Sequence, residues 1–127
     1  MTLLKTLLCA VALLVGAEAM AAGIQPFSQQ AFARLQTDKA AVLVEVYADW
    51  CAVCQRQEAV LTPMLAEPEF AHITLLKLDF DRQKEALRTL GVNRQSTLIL
   101  FDGGEEIARV LGDTSPERLR AFLGQLR

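Results

Sequence analysis

One stretch limits the folds open to this chain more than any other. The apolar, β-branched run Val42-Leu-Val-Glu-Val-Tyr47 is followed, after Ala48 and Asp49, by Trp50-Cys51-Ala-Val-Cys54. A run this short and valine-rich is too brief for a core helix and reads as a buried strand. The next residues, Gln55 to Leu61, are good helix formers with apolar positions at helical spacing. The two cysteines therefore sit at a strand-to-helix junction, on the first turn of the helix.

That placement has chemical consequences. A helix N-terminus presents unpaired N–H groups and partial positive charge, which favour a thiolate over a thiol. Cys51 is the expected attacking nucleophile, and Cys54, one turn on, the residue that resolves a mixed disulfide. Positions three apart share a helix face, so the two sulfurs can close a disulfide without large backbone movement. The pair reads as a dithiol/disulfide redox centre. A closed zinc site usually needs four Cys or His ligands, whereas the chain adds only Cys9 and His72. A purely structural bridge closing so small a loop stabilises little through chain entropy.

The rest of the sequence sets the context. At 127 residues the chain is expected to form one folded domain, and its apolar fraction of 52% is enough for a core, although the N-terminus inflates it. The formal net charge is −2 with acids and bases interspersed, which points away from nucleic acid or an anionic membrane surface as partner. Residues 1–22 have the pattern of a secretory signal peptide. Lys5 supplies the positive region, Leu7 to Val15 the apolar region, and Ala19-Met20-Ala21 an A-x-A site, with cleavage expected near Ala21 or Ala22. The apolar run falls short of the ~20 residues of a spanning helix, so cleavage is the expectation and an uncleaved anchor the alternative. Removal of this segment would take Cys9 with it and leave residues 23–127 with two cysteines in an oxidising compartment.

Along that domain, Gly23-Ile-Gln-Pro26 is a short lead without an expected strand, and Ser28 is the expected N-cap of a helix turning Phe32 and Leu35 inward. The redox helix should run from Cys51 to about Ala66, with a kink or break at residues 59–63 caused by Pro63. Ile73 to Asp79 reads as a second buried strand. Asp81 is expected to cap a short helix that Gly91 ends. Thr97 to Phe101 is a third strand, Asp102-Gly103-Gly104 a hairpin turn, and Glu105 to Leu111 the return strand. Ser115-Pro116 opens a last helix carrying Leu119, Phe122, Leu123 and Leu126 on one face. Strands joined by crossover helices are expected to be parallel and the last hairpin antiparallel. The result is an α/β fold, a central mixed sheet with helices on both faces, and the cysteines at the C-terminal end of a central strand.

On these residues the sequence resembles the thioredoxin family over nearly all of residues 24–126. The signature is Trp50-Cys51-x-x-Cys54 after a buried strand. The string Tyr47-Ala-Asp-Trp-Cys is similar to the C-terminal thioredoxin-like domain of the membrane protein that feeds reducing equivalents to the periplasm. The resemblance implies a thioredoxin fold. It also implies that Glu45 is a buried acid behind the dithiol, with Lys77 as its partner, and that Gly104 and Gly112 match glycines around the terminal hairpin. A buried carboxyl of this kind has a raised pKa and can accept the proton of Cys54. Trp50, Gln95 and Ser96 are the implied client-facing residues. Two positions depart from the family: Ala52-Val53 stands for Gly-Pro between the cysteines, and Ser96 stands where thioredoxins carry a cis-proline. A non-proline cis peptide costs about 2.5–4 kcal/mol, so a trans Gln95–Ser96 bond and a reshaped loop are expected.

The leading functional expectation is an exported, periplasmic thiol–disulfide oxidoreductase acting as a reductase, monomeric and without a cofactor. Its partners would be disulfide-bearing client proteins and a membrane reductase that recharges the dithiol. A periplasmic thiol oxidant is one alternative. The other is a metal- or cluster-binding module, with Cys51 and Cys54 as soft ligands and a site opened by Ser96.

Overall fold

The computed structural model describes residues 23–126. The signal peptide expected over residues 1–22 lies outside them. Nine elements follow in order: β1 (Ile24–Pro26), α1 (Gln29–Thr37), β2 (Val42–Tyr47), α2 (Ala52–Leu65), β3 (Thr74–Asp79), α3 (Lys84–Thr89), β4 (Thr97–Asp102), β5 (Glu105–Leu111) and α4 (Pro116–Leu123). The five strands form one sheet in the order β1-β3-β2-β4-β5.

β2 is the middle strand, and its alternation sorts the core into two layers. Leu43 faces α2 and α4, packing with Leu61, Met64, Leu119 and Leu123. Val42, Val44 and Val46 face the other way, against Phe27, Phe32, Leu35 and Leu87. Both faces of the strand are covered, which is why its residues from Val42 to Val46 are all buried.

Local signals place most element ends. The Ser28 hydroxyl accepts the Ala31 N–H at 3.0 Å and starts α1. Ser115 does the same for the Arg118 N–H, ahead of Pro116 at the first helical position. Gly103 and Gly104 carry φ of 61° and 85°, the left-handed pair that a two-residue hairpin turn requires.

Four expectations are corrected. The lead Gly23–Pro26 contains a strand, β1, which pairs parallel with β3 through Ile24↔Leu75 and Pro26↔Lys77. Three residues ending in proline carry too little periodicity to announce a strand. α2 runs as one element from Ala52 to Leu65 with Pro63 inside it. The proline falls in the last turn, where little helix remains to break. Asp81 does not cap α3, which begins at Lys84 after Gln83. Asp79 instead accepts the N–H groups of Asp81 and Arg82 at 2.9 and 3.2 Å.

The fourth concerns the strand after α3. β4 lies antiparallel to β2, with Val42↔Phe101 and Glu45↔Leu98 in register. Helix length explains this. A six-residue helix spans about 9 Å at roughly 1.5 Å per residue, whereas a six-residue strand spans about 20 Å. α3 is too short to carry the chain back along the sheet, so β4 starts at the end where β3 stopped. This brings Ser96 to the end of β2 that leads into the cysteines.

Candidate active site

β2 delivers the chain at Tyr47, and a tight turn with a Cys51 N–H to Ala48 C=O bond of 3.1 Å reverses it into α2. Cys51 is itself the N-cap, extended at φ −88°, and its Sγ accepts the Cys54 N–H at 3.1 Å. A sulfur does here what a serine or aspartate oxygen usually does. Cys51 and Cys54 are joined in a disulfide, with Cα atoms 5.3 Å apart. Both are buried, Cys51 at 3% exposure. Cys54 Sγ also faces the Val46 carbonyl at 3.8 Å.

The loop ahead of β4 closes over the sulfurs. Every peptide bond among the described residues is trans, including Gln95–Ser96, and Ser96 adopts φ 65°. A left-handed conformation costs a non-glycine residue roughly 1–2 kcal/mol. Its backbone is pinned in return. The Ser96 N–H donates to the Val46 carbonyl at 2.8 Å, and its own carbonyl accepts from the Gly112 N–H at 2.9 Å. The same carbonyl accepts from Gln57 Nε2 at 3.2 Å. So held, the Ser96 hydroxyl lies 3.2 Å from Cys51 Sγ and 3.2 Å from Cys54 Sγ.

Beneath α2 lies the acid. Glu45 is 1% exposed, on the face of β2 that also carries Leu43, and neither carboxyl oxygen has a hydrogen-bond partner in the protein. Burial, reinforced by the charge of Glu58 and opposed by Lys77, raises its pKa from 4.5 to about 7. Lys77 stands beside Glu45 on β3, in register with it. Its ammonium, however, bonds Glu58 on α2 at 2.9 Å and sits 4.6 Å from the centre of the Tyr47 ring. Burial opposes the lysine's charge, but the hydrogen bond and charge of Glu58 outweigh it and hold the pKa above its ordinary value. Lys77 therefore moderates Glu45 across space while its direct contact is with Glu58. A cavity of about 120 Å³, lined by Tyr47, Ala48, Cys54, Glu58 and Lys77, opens beside the second cysteine.

Trp50 is 61% exposed next to the disulfide, and its indole N–H donates to Asp81 at 2.8 Å. Leu111, paired with Thr97, is exposed at the end of β5. Gln95 is half-buried beside Ser96. The structure thus gathers Cys51, Cys54 and Ser96 at one point, with Trp50 flanking Cys51, and sets Glu45 and Lys77 beneath the helix that carries Cys54. Among the described residues no group of three or more His, Cys, Asp and Glu side chains is arranged to hold a metal ion.

Two neighbours of this centre escaped the sequence reading. Gln57 is fully buried and ties α2 to the carbonyls of Ser96 and Asp113. Glu58 holds Lys77. They stand three and four residues after Cys54, on its side of the helix, which is the signal that marks them.

Comparison with known proteins agrees with this geometry. The thioredoxin family model matches residues 23–125. The thioredoxin of Chlamydia pneumoniae is 40% identical over 86 residues, covering 66% of this chain and 80% of its own. That of Alicyclobacillus acidocaldarius is 35% identical over 95 residues, covering 72% and 86%. The crystal structure of Trxlp from Edwardsiella tarda superimposes with a TM-score of 0.79 at 48% identity, over 83% of this chain and 100% of that one. With its fold, its cysteine pair and these relatives in agreement, the chain belongs to the thioredoxin family and is a thiol–disulfide oxidoreductase.

Proposed function

We propose that the protein is an exported reductase of disulfides in periplasmic client proteins, recharged by a membrane electron donor. The observation that carries this reading is the buried, unpartnered Glu45 beneath the helix that bears Cys54. A reductase must release its client by making Cys54 a nucleophile, and a carboxyl with a pKa near 7 is matched to taking that proton.

The cycle runs in two exchanges. The Cys51 thiolate attacks a client disulfide, forms a mixed disulfide and expels one client thiolate. Cys54 then passes its proton to Glu45 and attacks Cys51 Sγ. The Cys51–Cys54 bond forms, the Cys51–client bond breaks, and the second client thiolate leaves. Two electrons have moved from the protein's dithiol to the client. Trp50 and the Gln95 loop form the surface a client approaches, and both backbone groups of Ser96 are already bonded within the protein. The protein works as a monomer without a cofactor and has no role on nucleic acid. Export is supported by the pattern of residues 1–22, with the mature chain starting at about residue 23.

Equilibration against a glutathione or dithiothreitol series tests the direction. A reduction potential near about −270 mV supports the reductase, and one near about −120 mV makes the protein an oxidant. N-terminal sequencing of the periplasmic fraction tests both steps: absence from that fraction refutes export, and retention of residues 2–22 refutes cleavage.

A further inference from the structure

The Ser96 hydroxyl is equidistant from two sulfurs that carry negative charge at different moments, and it has one proton to donate. We propose that Ser96 is a catalytic residue whose hydrogen bond follows the charge, from the Cys51 thiolate before attack to the Cys54 thiolate during resolution. The proposal rests on exchange through Cys51 and Cys54 and holds for either direction of net electron flow.

Three features carry it. The hydroxyl is 3.2 Å from each sulfur, within hydrogen-bonding reach of either by a rotation of its O–H bond alone. Its backbone is held by partners other than the two cysteines, through bonds to Val46, Gly112 and Gln57. The two sulfurs also have unequal surroundings. Cys51 faces a second donor, the Cys54 N–H, whereas Cys54 faces an acceptor, the Val46 carbonyl. In the reduced protein the thiolate is therefore favoured on Cys51, and the Ser96 proton turns to it. Once Cys51 is consumed in the mixed disulfide it carries no charge. Cys54 then gives its proton to Glu45, and the Ser96 proton is free to turn to the new thiolate. Ser96 keeps its own proton throughout, and the client disulfide is the only oxidant. A proline at this position has no side-chain donor to offer either sulfur.

The test is stopped-flow reaction of the reduced protein with 5,5′-dithiobis(2-nitrobenzoate) across pH. The first release of thionitrobenzoate reports attack by Cys51, and the second reports resolution by Cys54. Hydrogen bonds to charged groups are worth enough that losing one shifts a titration midpoint by about one pH unit. In Ser96→Ala and Ser96→Gly, both midpoints should rise by about that much. Glycine adopts a φ of 65° without strain, so Ser96→Gly separates loss of the hydroxyl from loss of fold. The charged groups around the pair, Glu45, Glu58 and Lys77 near Cys54 and Asp49 and Asp81 near Trp50, are unchanged in both variants. Two unmoved midpoints overturn the proposal, and so does movement of one midpoint alone. The reduction potential, measured separately, decides the reductase reading without bearing on this one.

Discussion

Glu45→Gln should make the protein more stable at alkaline pH while slowing its second chemical step. The magnitude follows from the site. The Glu45 carboxyl is raised from 4.5 to about 7, first by burial and then by the charge of Glu58. In the unfolded chain it gives up its proton near 4.5, so between these values the unfolded state binds fewer protons than the folded one. Stability therefore falls as pH rises through this window, is unaffected by Glu45 below it, and stays at the lower level above about 7. At about 1.4 kcal/mol per unit, the loss comes to about 3 kcal/mol. Urea denaturation of the oxidised protein at about pH 4.5 and about pH 8.5, followed by circular dichroism, measures it. Glutamine is neutral at both, has the same shape, and inherits the same lack of partners. The variant should match the parent at the acid end and exceed it by about 3 kcal/mol at the alkaline end. Glu67, Asp113 and Glu117 have lowered pKa values, so their contributions are lost only as pH falls below the ordinary carboxylate range, outside this window. If parent and variant share one slope across it, Glu45 does not ionise against its burial and the proton-acceptor role fails with it.

The neighbouring charges should tune that midpoint in opposite directions. Glu58→Gln lowers it by removing a like charge, and Lys77→Met raises it by removing an opposite one; the pH dependence of stability or of the resolution rate reads both. Gln57→Leu should cost roughly 1–3 kcal/mol in urea titration, because the Asp113 carbonyl loses its bond from Nε2 and Ser96 keeps only the Gly112 one. An unchanged stability would mean that the partnerless Gln57 Oε1 offsets both bonds. Ser28→Ala should destabilise by about 1 kcal/mol through loss of the α1 cap, with no change in exchange kinetics.

What the sequence determined by itself was local. The short valine-rich run from Val42, the helix after Cys54, the caps at Ser28 and Ser115 and the Asp102-Gly103-Gly104 turn each depend on residues within a few positions of one another. Their physical cause lies inside the window in which it is read. The placement of Cys51 at a helix N-terminus belongs with them, since strand, turn and helix are contiguous. Tertiary structure decided the rest. Asp81 looked like a cap until Trp50, 31 residues earlier, claimed its carboxylate. The direction of β4 depended on whether α3 was long enough to cross the sheet. Alternation set Glu45 opposite Val44 and Val46, but its burial required α2 to cover that face. Lys77 met Glu58 because α2 crosses over β3. Ser96 reached two sulfurs 45 and 42 residues before it only because β4 begins where β2 ends. Periodicity assigns a residue to a face; which element covers that face, and which side chain meets it there, is settled when distant strands pair.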